Sequence, residues 1–192
     1  MKTLKQLFFI FAFVALVYSC KNENEDASTT STDSNTENAS TKKTGQAFIK
    51  DDGSAPNVLQ IAIGSEAHST LVAAVQAAEL ENALVNAGPL MVFAPTNEAF
   101  AALPEGTVEN LLKPENKDAL ANILKYHVTP GNYSKDFLKK FKKLGQANNG
   151  YVQVEVVDGE PIIGGAKILA SIKAGNGIVH VIDKVLLPPA QE

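Results

Sequence analysis

The chain has 192 residues and contains no arginine and no tryptophan, and its only cysteine is Cys20. All 17 basic residues are therefore lysines. Lysine lacks the planar guanidinium fork that binds phosphates and guanine edges through paired hydrogen bonds, so nucleic acid is not an expected partner. A lone cysteine cannot form a disulfide within the chain, which excludes a disulfide scaffold.

The sequence also lacks the short motifs of common enzyme chemistry, having no G-x-S-x-G, no H-E-x-x-H, no phosphate-binding glycine loop and no C-x-x-C pair. Its three histidines, His68, His127 and His180, lie more than fifty residues apart on different predicted elements. We therefore predict a non-enzymatic protein without cofactor or metal site. The alternatives are a periplasmic or surface small-molecule-binding protein, which a deep apolar pocket with convergent polar groups would reveal, and then a hydrolase.

The first twenty residues are typical of an exported bacterial lipoprotein. Lys2 and Lys5 precede an apolar run over 7–17, which is shorter than the roughly 20 residues of a membrane-spanning helix. The sequence LVYSC that ends at Cys20 resembles a lipobox, in which the cysteine becomes the acylated first residue of the mature protein. We predict a signal peptide over 1–19 and lipidation of Cys20, which would attach the chain to the membrane. The alternative is an ordinary secretory signal with an incidental cysteine.

A low-complexity segment follows the cysteine. Residues 21–46 include ten Ser or Thr and almost no apolar side chains, so they cannot bury enough surface to offset the entropy of ordering. We predict that 20–46 forms a lipidated, disordered tether with an end-to-end distance of roughly 30 Å. Its start, a lysine followed by acids over 21–26, resembles the surface-export signal of some lipoproteins. The predicted location is the outer membrane or the cell surface of a Gram-negative bacterium.

The fold is organised around residues 91–104, MVFAPTNEAFAALP. The first three residues predict a short buried strand that stops at the proline, because proline has no backbone N–H to donate. A helix is expected next, with the side chain of Thr96 or Asn97 accepting hydrogen bonds from the free amides of its first turn. Phe100 on that helix is expected to point into the core beside Phe93.

Apolar spacing predicts helices around this segment and then a change of period. One helix is capped by Ser69 and includes Leu84, and another covers about 114–126. From Gly150 onward apolar and polar residues alternate, and Asp158 with the following glycine supplies a hairpin turn. The pattern predicts an α+β fold whose strands pair into an antiparallel or mixed sheet.

Two stretches resemble the signature motifs of the fasciclin domain, an extracellular interaction module. MVFAPTNEAFAALP resembles the first motif, GIVHVIDKVLLP at 177–188 resembles the second, and Tyr126-His127 matches the tyrosine-histidine pair of that family. The resemblance implies one fasciclin-like domain over 47–190, with short helices packed on a wedge of antiparallel or mixed sheet. It also implies adhesion or interaction, with an unknown extracellular protein or polysaccharide as the partner.

The tyrosine-histidine pair has two interpretations. In fasciclin domains of animals it is linked to receptor-mediated adhesion, which makes Tyr126 and His127, together with the loop around Asn97, candidate contact residues. The structural interpretation is that Tyr126 packs in the core while His127 satisfies late backbone carbonyls of its helix or a neighbouring loop. His180, which lies among apolar neighbours in the last strand, is predicted to be a hydrogen-bonded core residue.

The segment 134–144, SKDFLKKFKKL, departs most from the family pattern. Its apolar residues are expected on one helical face, and its five lysines fill the rest of the surface. These residues are Phe137, Leu138, Phe141 and Leu144, with Lys135, Lys139, Lys140, Lys142 and Lys143. One interpretation is a core-packed helix with a solvated lysine face. The other is a basic patch that contacts acidic polysaccharide or lipid headgroups on a chain whose net charge is −4.

Overall fold

The computed structural model describes residues 54–86 and 88–189. The predicted signal peptide, Cys20 and the tether lie outside these residues. The helices are α1 (Val58–Ile63), α2 (Ser69–Ala77), α3 (Glu81–Asn86), α4 (Asn97–Ala101), α5 (Thr107–Leu111), α6 (Lys117–Tyr126) and α7 (Lys135–Leu138). The strands are β1 (Leu90–Pro95), β2 (Val128–Pro130), β3 (Lys143–Gly145), β4 (Tyr151–Val157), β5 (Glu160–Ile163), β6 (Ala166–Ala174) and β7 (Gly177–Ile182).

The strands form one seven-stranded mixed sheet in the order β2-β1-β7-β6-β5-β4-β3. Strands β1 and β7 pair in parallel, with Phe93 opposite His180, and the other neighbouring strands pair antiparallel. The two-residue turn between β4 and β5 places Asp158 at φ 52° and Gly159 at φ 77°, which is the left-handed pair that a tight hairpin favours. The predicted α+β fold with a mixed sheet is confirmed.

Strand β1 is buried along its whole length, as the sequence predicts, and helix α4 follows it directly. The side chain of Thr96 caps α4 by accepting a hydrogen bond from the Ala99 amide at 3.3 Å. The prediction that the strand stops at the proline is confirmed, because β1 ends at Pro95, which lies opposite Ile182 of β7. Proline is tolerated there because it ends the strand and needs no further donor on the ladder.

Two hydrophobic clusters lie on opposite faces of the central strands. Val92 and Ala94 of β1 belong to the helical cluster, which also includes buried residues of α1, α2 and α6. Met91 and Phe93 belong to the sheet cluster, which includes buried residues of β3 to β7. Successive side chains of a strand point to opposite faces. The expectation that Phe100 lies beside Phe93 is therefore wrong, because α4 folds back onto the helical side and Phe100 packs against that cluster.

The predicted helix from Ser69 to Leu84 is two helices. Glu79 adopts φ 53°, and the Leu80 amide donates back to the Val75 carbonyl at 3.1 Å, which is the hydrogen-bond pattern that closes a helix at a left-handed residue. Glutamate seldom takes that conformation, so the sequence carries no signal for the break. Ser69 is the first residue of α2 rather than its cap, and no side chain caps that helix from the preceding residue.

The predicted helix over 134–144 is also wrong. Only the single turn α7 is helical, and Leu144 lies in β3 opposite Val152 of β4. Lys139 and Lys143 would be four residues apart on a continuous helix, where like charges repel. As part of β3, the Leu144 side chain is buried without the helix.

Within residues 54–86 and 88–189, no helix has both the length and the hydropathy that a membrane crossing requires. In the same part of the chain no group of three or more His, Cys, Asp or Glu side chains is placed to hold a metal ion.

Candidate interaction surface

Three aromatic rings that follow β2 pack against one another at the surface. The Tyr133 and Phe137 rings stack with their centroids 5.6 Å apart, and the Phe141 ring lies 5.1 Å from Tyr133 and 5.5 Å from Phe137. Phe137 is 42% exposed. The predicted core-facing position of Phe137 is therefore wrong, whereas Leu138 beside it is fully buried. We call Tyr133, Phe137 and Phe141 the aromatic cluster.

The five lysines of 134–144 divide into two groups. Lys135 pairs with Glu160 at 2.6 Å and Lys139 pairs with Asp136 at 2.9 Å, so the charges of these two are largely offset. The three others are Lys140, Lys142 and Lys143, and all are exposed.

Two of the exposed lysines lie over aromatic rings. The Lys140 ammonium is 4.9 Å from the centre of the Phe137 ring, and the Lys143 ammonium is 4.4 Å from the centre of the Tyr151 ring. These are distances at which the face of a ring attracts a cation. Tyr151 is 57% exposed. We call the aromatic cluster together with Tyr151 and the three exposed lysines, Lys140, Lys142 and Lys143, the lysine–aromatic surface.

An open depression of about 460 Å³ joins the two parts of this surface. Tyr133 and Phe141 line it on one side, and Lys143 and Tyr151 line it on the other. Polar side chains, including Asn149, contribute to the same lining. The depression therefore combines aromatic contact area, amide groups and positive charge in one place.

His180 fixes the position of Tyr133 from inside the sheet. Its Nε2 lies 2.9 Å from the Tyr133 carbonyl oxygen and its Nδ1 lies 2.7 Å from the Ser171 hydroxyl. A carbonyl can only accept, so Nε2 carries the proton and Nδ1 accepts from the hydroxyl. Burial lowers the pKa of His180 below its ordinary value, since desolvation disfavours the charged ring. The prediction of a hydrogen-bonded core histidine is confirmed.

Tyr126 supports the other side of the depression. Its hydroxyl donates to the Tyr151 carbonyl at 2.8 Å, and its ring packs so closely on Gly150 that an added Cβ there would lie 3.2 Å from it. Burial raises the pKa of Tyr126. The strand that presents the exposed Tyr151 ring is thus held in place by a buried tyrosine.

His127 joins helix α6 to the segment after β7. Its Nε2 accepts a hydrogen bond from the Leu186 amide at 2.9 Å, so Nδ1 must carry the proton that is shared with the Ile123 carbonyl at 2.8 Å. The ring is 3% exposed. Desolvation lowers the pKa of His127 to about 4, and a second ring proton would face the Leu186 N–H. The imidazole is therefore held neutral in one tautomer.

Comparison with known proteins agrees with this architecture. The fasciclin domain model matches residues 66–188. This chain belongs to the fasciclin domain family. Protein sll1483 of Synechocystis sp. is 49% identical over 137 residues, which cover 71% of this chain and 76% of that protein. Transforming growth factor-beta-induced protein ig-h3 of Sus scrofa is 39% identical over 141 residues, covering 70% of this chain and 20% of that protein.

A solved structure shows the same fold for this fasciclin domain. It is a domain pair from the insect cell adhesion molecule fasciclin I, with a TM-score of 0.62 and 19% identity. The match covers 69% of this chain and 51% of the solved one, so this chain spans about half of the pair.

The residues that the sequence nominates as contacts occupy three environments in this fasciclin domain. The exposed lysines belong to the lysine–aromatic surface. Tyr126 and His127 are buried, and their polar atoms form hydrogen bonds within the domain. Asn97 is elsewhere: its side-chain oxygen accepts from the Thr70 amide at 3.1 Å and its amide donates to the Glu66 carbonyl at 2.9 Å. Asn97 thus caps the start of α2, and partner contact at Asn97, Tyr126 and His127 stays a prediction.

Sequence reasoning missed Tyr133, which is partly buried against the sheet cluster, and the exposed Tyr151 as members of this surface. Tyr133, Phe137 and Phe141 recur every fourth position, which is a signal for one face. That signal was visible, but an apolar stripe is ordinarily interpreted as core. The hydrogen bond from His180 to the Tyr133 carbonyl, 47 residues apart, depends on the sheet topology and has no sequence signal.

Proposed function

We propose that this fasciclin domain is a non-enzymatic interaction module, anchored at the bacterial envelope by Cys20, that binds an acidic extracellular polysaccharide through the lysine–aromatic surface. The observation that carries the proposal is that Lys140 and Lys143 lie over aromatic rings, and that neither of them pairs with a carboxylate among the described residues. Relatives with the same domain support an adhesive role, because the solved domain pair comes from a cell adhesion molecule.

The chemistry of the surface fits an acidic polymer better than a neutral one. Lysines attract polyanions over a screened distance of about 8 Å at physiological salt. Aromatic rings add rigid contact area with little loss of side-chain entropy. The rest of the chain carries excess negative charge, so attraction to a polyanion must be local to this surface.

The histidines support a non-enzymatic role. Both ring nitrogens of His127 and of His180 are occupied by structural hydrogen bonds. His68 bonds through Nδ1 to the Ser65 hydroxyl at 2.9 Å, and its Nε2 is buried. None of the three presents a ring nitrogen to a substrate.

The test is a charge-matched pair of triple variants. In one variant, Lys140, Lys142 and Lys143 are replaced by Gln. In the control, Gln replaces three lysines that are exposed elsewhere in the domain: Lys113, Lys167 and Lys173. Binding to a polyuronate is measured at low and high salt. We expect at least tenfold weaker binding for the first variant, little change for the control, and a steep loss of wild-type binding with salt.

Equal binding by the two variants would show that net charge alone attracts the polymer, which contradicts the assignment to this surface. Wild-type binding to anionic lipid vesicles but not to polyuronate would assign the lysines to the membrane and reject the polysaccharide.

A further inference from the structure

An apolar cavity lies inside the helical cluster. Its volume is about 200 Å³, and it is lined by α1, α2, α3, the end of α6 and strands β1, β2 and β7, with part of its boundary open to solvent. Typical wall residues are Leu59, Val75, Leu84, Val92 and Val179. The volume exceeds that of an apolar cavity of about 150 Å³ known to stay dry and to bind benzene.

The walls offer almost nothing to a polar ligand. His127 contributes to the lining, but both its ring nitrogens are already hydrogen-bonded. Lys125 is the one charged residue among the described wall residues, and its side chain is exposed. Water in such a space would lack the two to four polar partners that hold it. The convergent polar groups of a polar-ligand site are absent from this part of the described chain.

Helix α3 is the wall most able to yield. It has no buried residue, although Ala83 and Leu84 line the cavity. The left-handed Glu79 separates it from α2. A side-chain hydrogen bond at 2.8 Å, from Asn176 to the Leu84 carbonyl, ties it to the turn before β7. Few buried contacts mean that such an element moves at low cost in free energy, so a displacement of α3 would widen the opening of the cavity.

We propose that this cavity is a binding site for a small neutral hydrocarbon group of about six to eight carbon atoms, admitted by movement of α3. The size follows from the volume, and the class follows from the walls. A void leaves its lining atoms without van der Waals partners, so an apolar occupant restores contacts that the protein alone does not make. This site is independent of the lysine–aromatic surface.

The test uses the full chain with Cys20→Ser, so that no acyl group competes, and benzene and cyclohexane as separate probes. Binding is followed by methyl NMR shifts and by melting temperature. Wild type should bind saturably, with shifts centred on Leu84 and Val75 and a rise of a few degrees in melting temperature. If only benzene binds, the site takes a flat ring, and if only cyclohexane binds, it takes an aliphatic group.

Two variants on α3 form the matched control. Ala83 is an exposed residue at the edge of the cavity, so Ala83→Phe places a ring across its opening and should weaken binding at least tenfold. Asn82→Phe adds the same ring at an equally exposed neighbour outside the lining and should bind like wild type. If Ala83→Phe does not fold, Val72→Phe fills the cavity from α2 and carries the same expectation.

Three results would overturn the proposal. One is the absence of saturable binding by wild type, and another is equal binding by the filled and control variants. The third concerns Phe48, an apolar residue of the segment that precedes the described residues: binding that emerges only after Phe48→Ala would assign the cavity to the chain's own N-terminal segment.

Discussion

The two faces of the central strands are packed differently. On the sheet side, large side chains such as Phe93, Met91, Leu138, Ile163 and Ile182 are fully buried. On the helical side, short helices leave a cavity of about 200 Å³. The difference bears on both proposed sites, because Tyr133 and Phe141 of the lysine–aromatic surface pack against the sheet cluster, whereas the cavity lies among the helices.

The largest effect on the free energy of unfolding is expected when a phenylalanine is replaced by alanine, and it should differ between the two faces. Phe93→Ala should lower the free energy of unfolding by about 3 to 5 kcal/mol, because it empties a fully buried site in a closely packed core. Phe100→Ala should cost about 2 kcal/mol, because Phe100 is only partly buried against the helical cluster. Urea unfolding of both variants measures the difference, and equal losses would contradict the difference in packing.

The next effect concerns His127, which joins the two faces at the end of α6. Its pKa is about 4 in the folded chain, below the ordinary 6.5, so the unfolded chain takes up a proton first as the pH falls. Stability due to the neutral ring is complete above pH 6.5 and is lost as the pH falls toward 4, by about 3 kcal/mol. Burial also lowers the pKa of His68 and of His180. Both residues should therefore add to the loss of stability as the pH falls.

A variant isolates the share of His127. In His127→Gln the new side chain offers an acceptor to the Leu186 amide and a donor to the Ile123 carbonyl, but it does not titrate. This variant should therefore unfold with a shallower pH dependence between pH 6.5 and pH 4. Urea unfolding at several pH values provides the comparison. Identical slopes for wild type and variant would exclude His127 as a source of the acid sensitivity.

A smaller effect is expected for the support of Tyr151. Tyr126→Phe removes the hydroxyl that bonds to the Tyr151 carbonyl, which should cost about 1 kcal/mol and weaken polyuronate binding by a few-fold because the strand beneath Tyr151 loosens. Tyr133→Phe is the control for stability, because no hydrogen bond of its hydroxyl is found within the described residues. Thermal unfolding and binding assays together decide, and an unaffected affinity would show that Tyr126 does not support the surface.

The smallest effect on folding is expected at Cys20. Cys20→Ser should leave the melting temperature unchanged, because the tether is not expected to pack against the domain. It should abolish metabolic labelling with a fatty acid. Labelling that survives the substitution would exclude acylation at this residue.

Local signals in the sequence predict much of the fold. Thr96 as a cap and the turn at Asp158 depend on neighbours in the chain and are found as expected. The alternation of β4 is found at Val152 and Val154 but not at Val156, which is exposed. The errors arise where tertiary contacts override local pattern. Leu144 lies in a strand because it pairs with Val152 on the neighbouring strand. The helix that begins at Ser69 ends at a left-handed Glu79, where no glycine in the sequence indicates a break.

The interaction surface shows the same limit. The lysines can be identified in the sequence. The ion pair that offsets the charge of Lys135 cannot, because its partner Glu160 lies on β5. The exposed position of Tyr151 depends on the register between β3 and β4, in which Tyr151 lies opposite Gly145. The sequence alone does not predict that register.

The central claim is that the lysine–aromatic surface binds an acidic polymer, and amide NMR tests it most directly. A uronic-acid oligosaccharide is titrated into the labelled protein at low salt and again at about five times physiological salt. We predict shifts concentrated on 133–143 and 149–151 that disappear at the higher salt, because the attraction is screened. Shifts spread evenly over all exposed lysines, or centred on 66–70 beside Asn97, would contradict the claim.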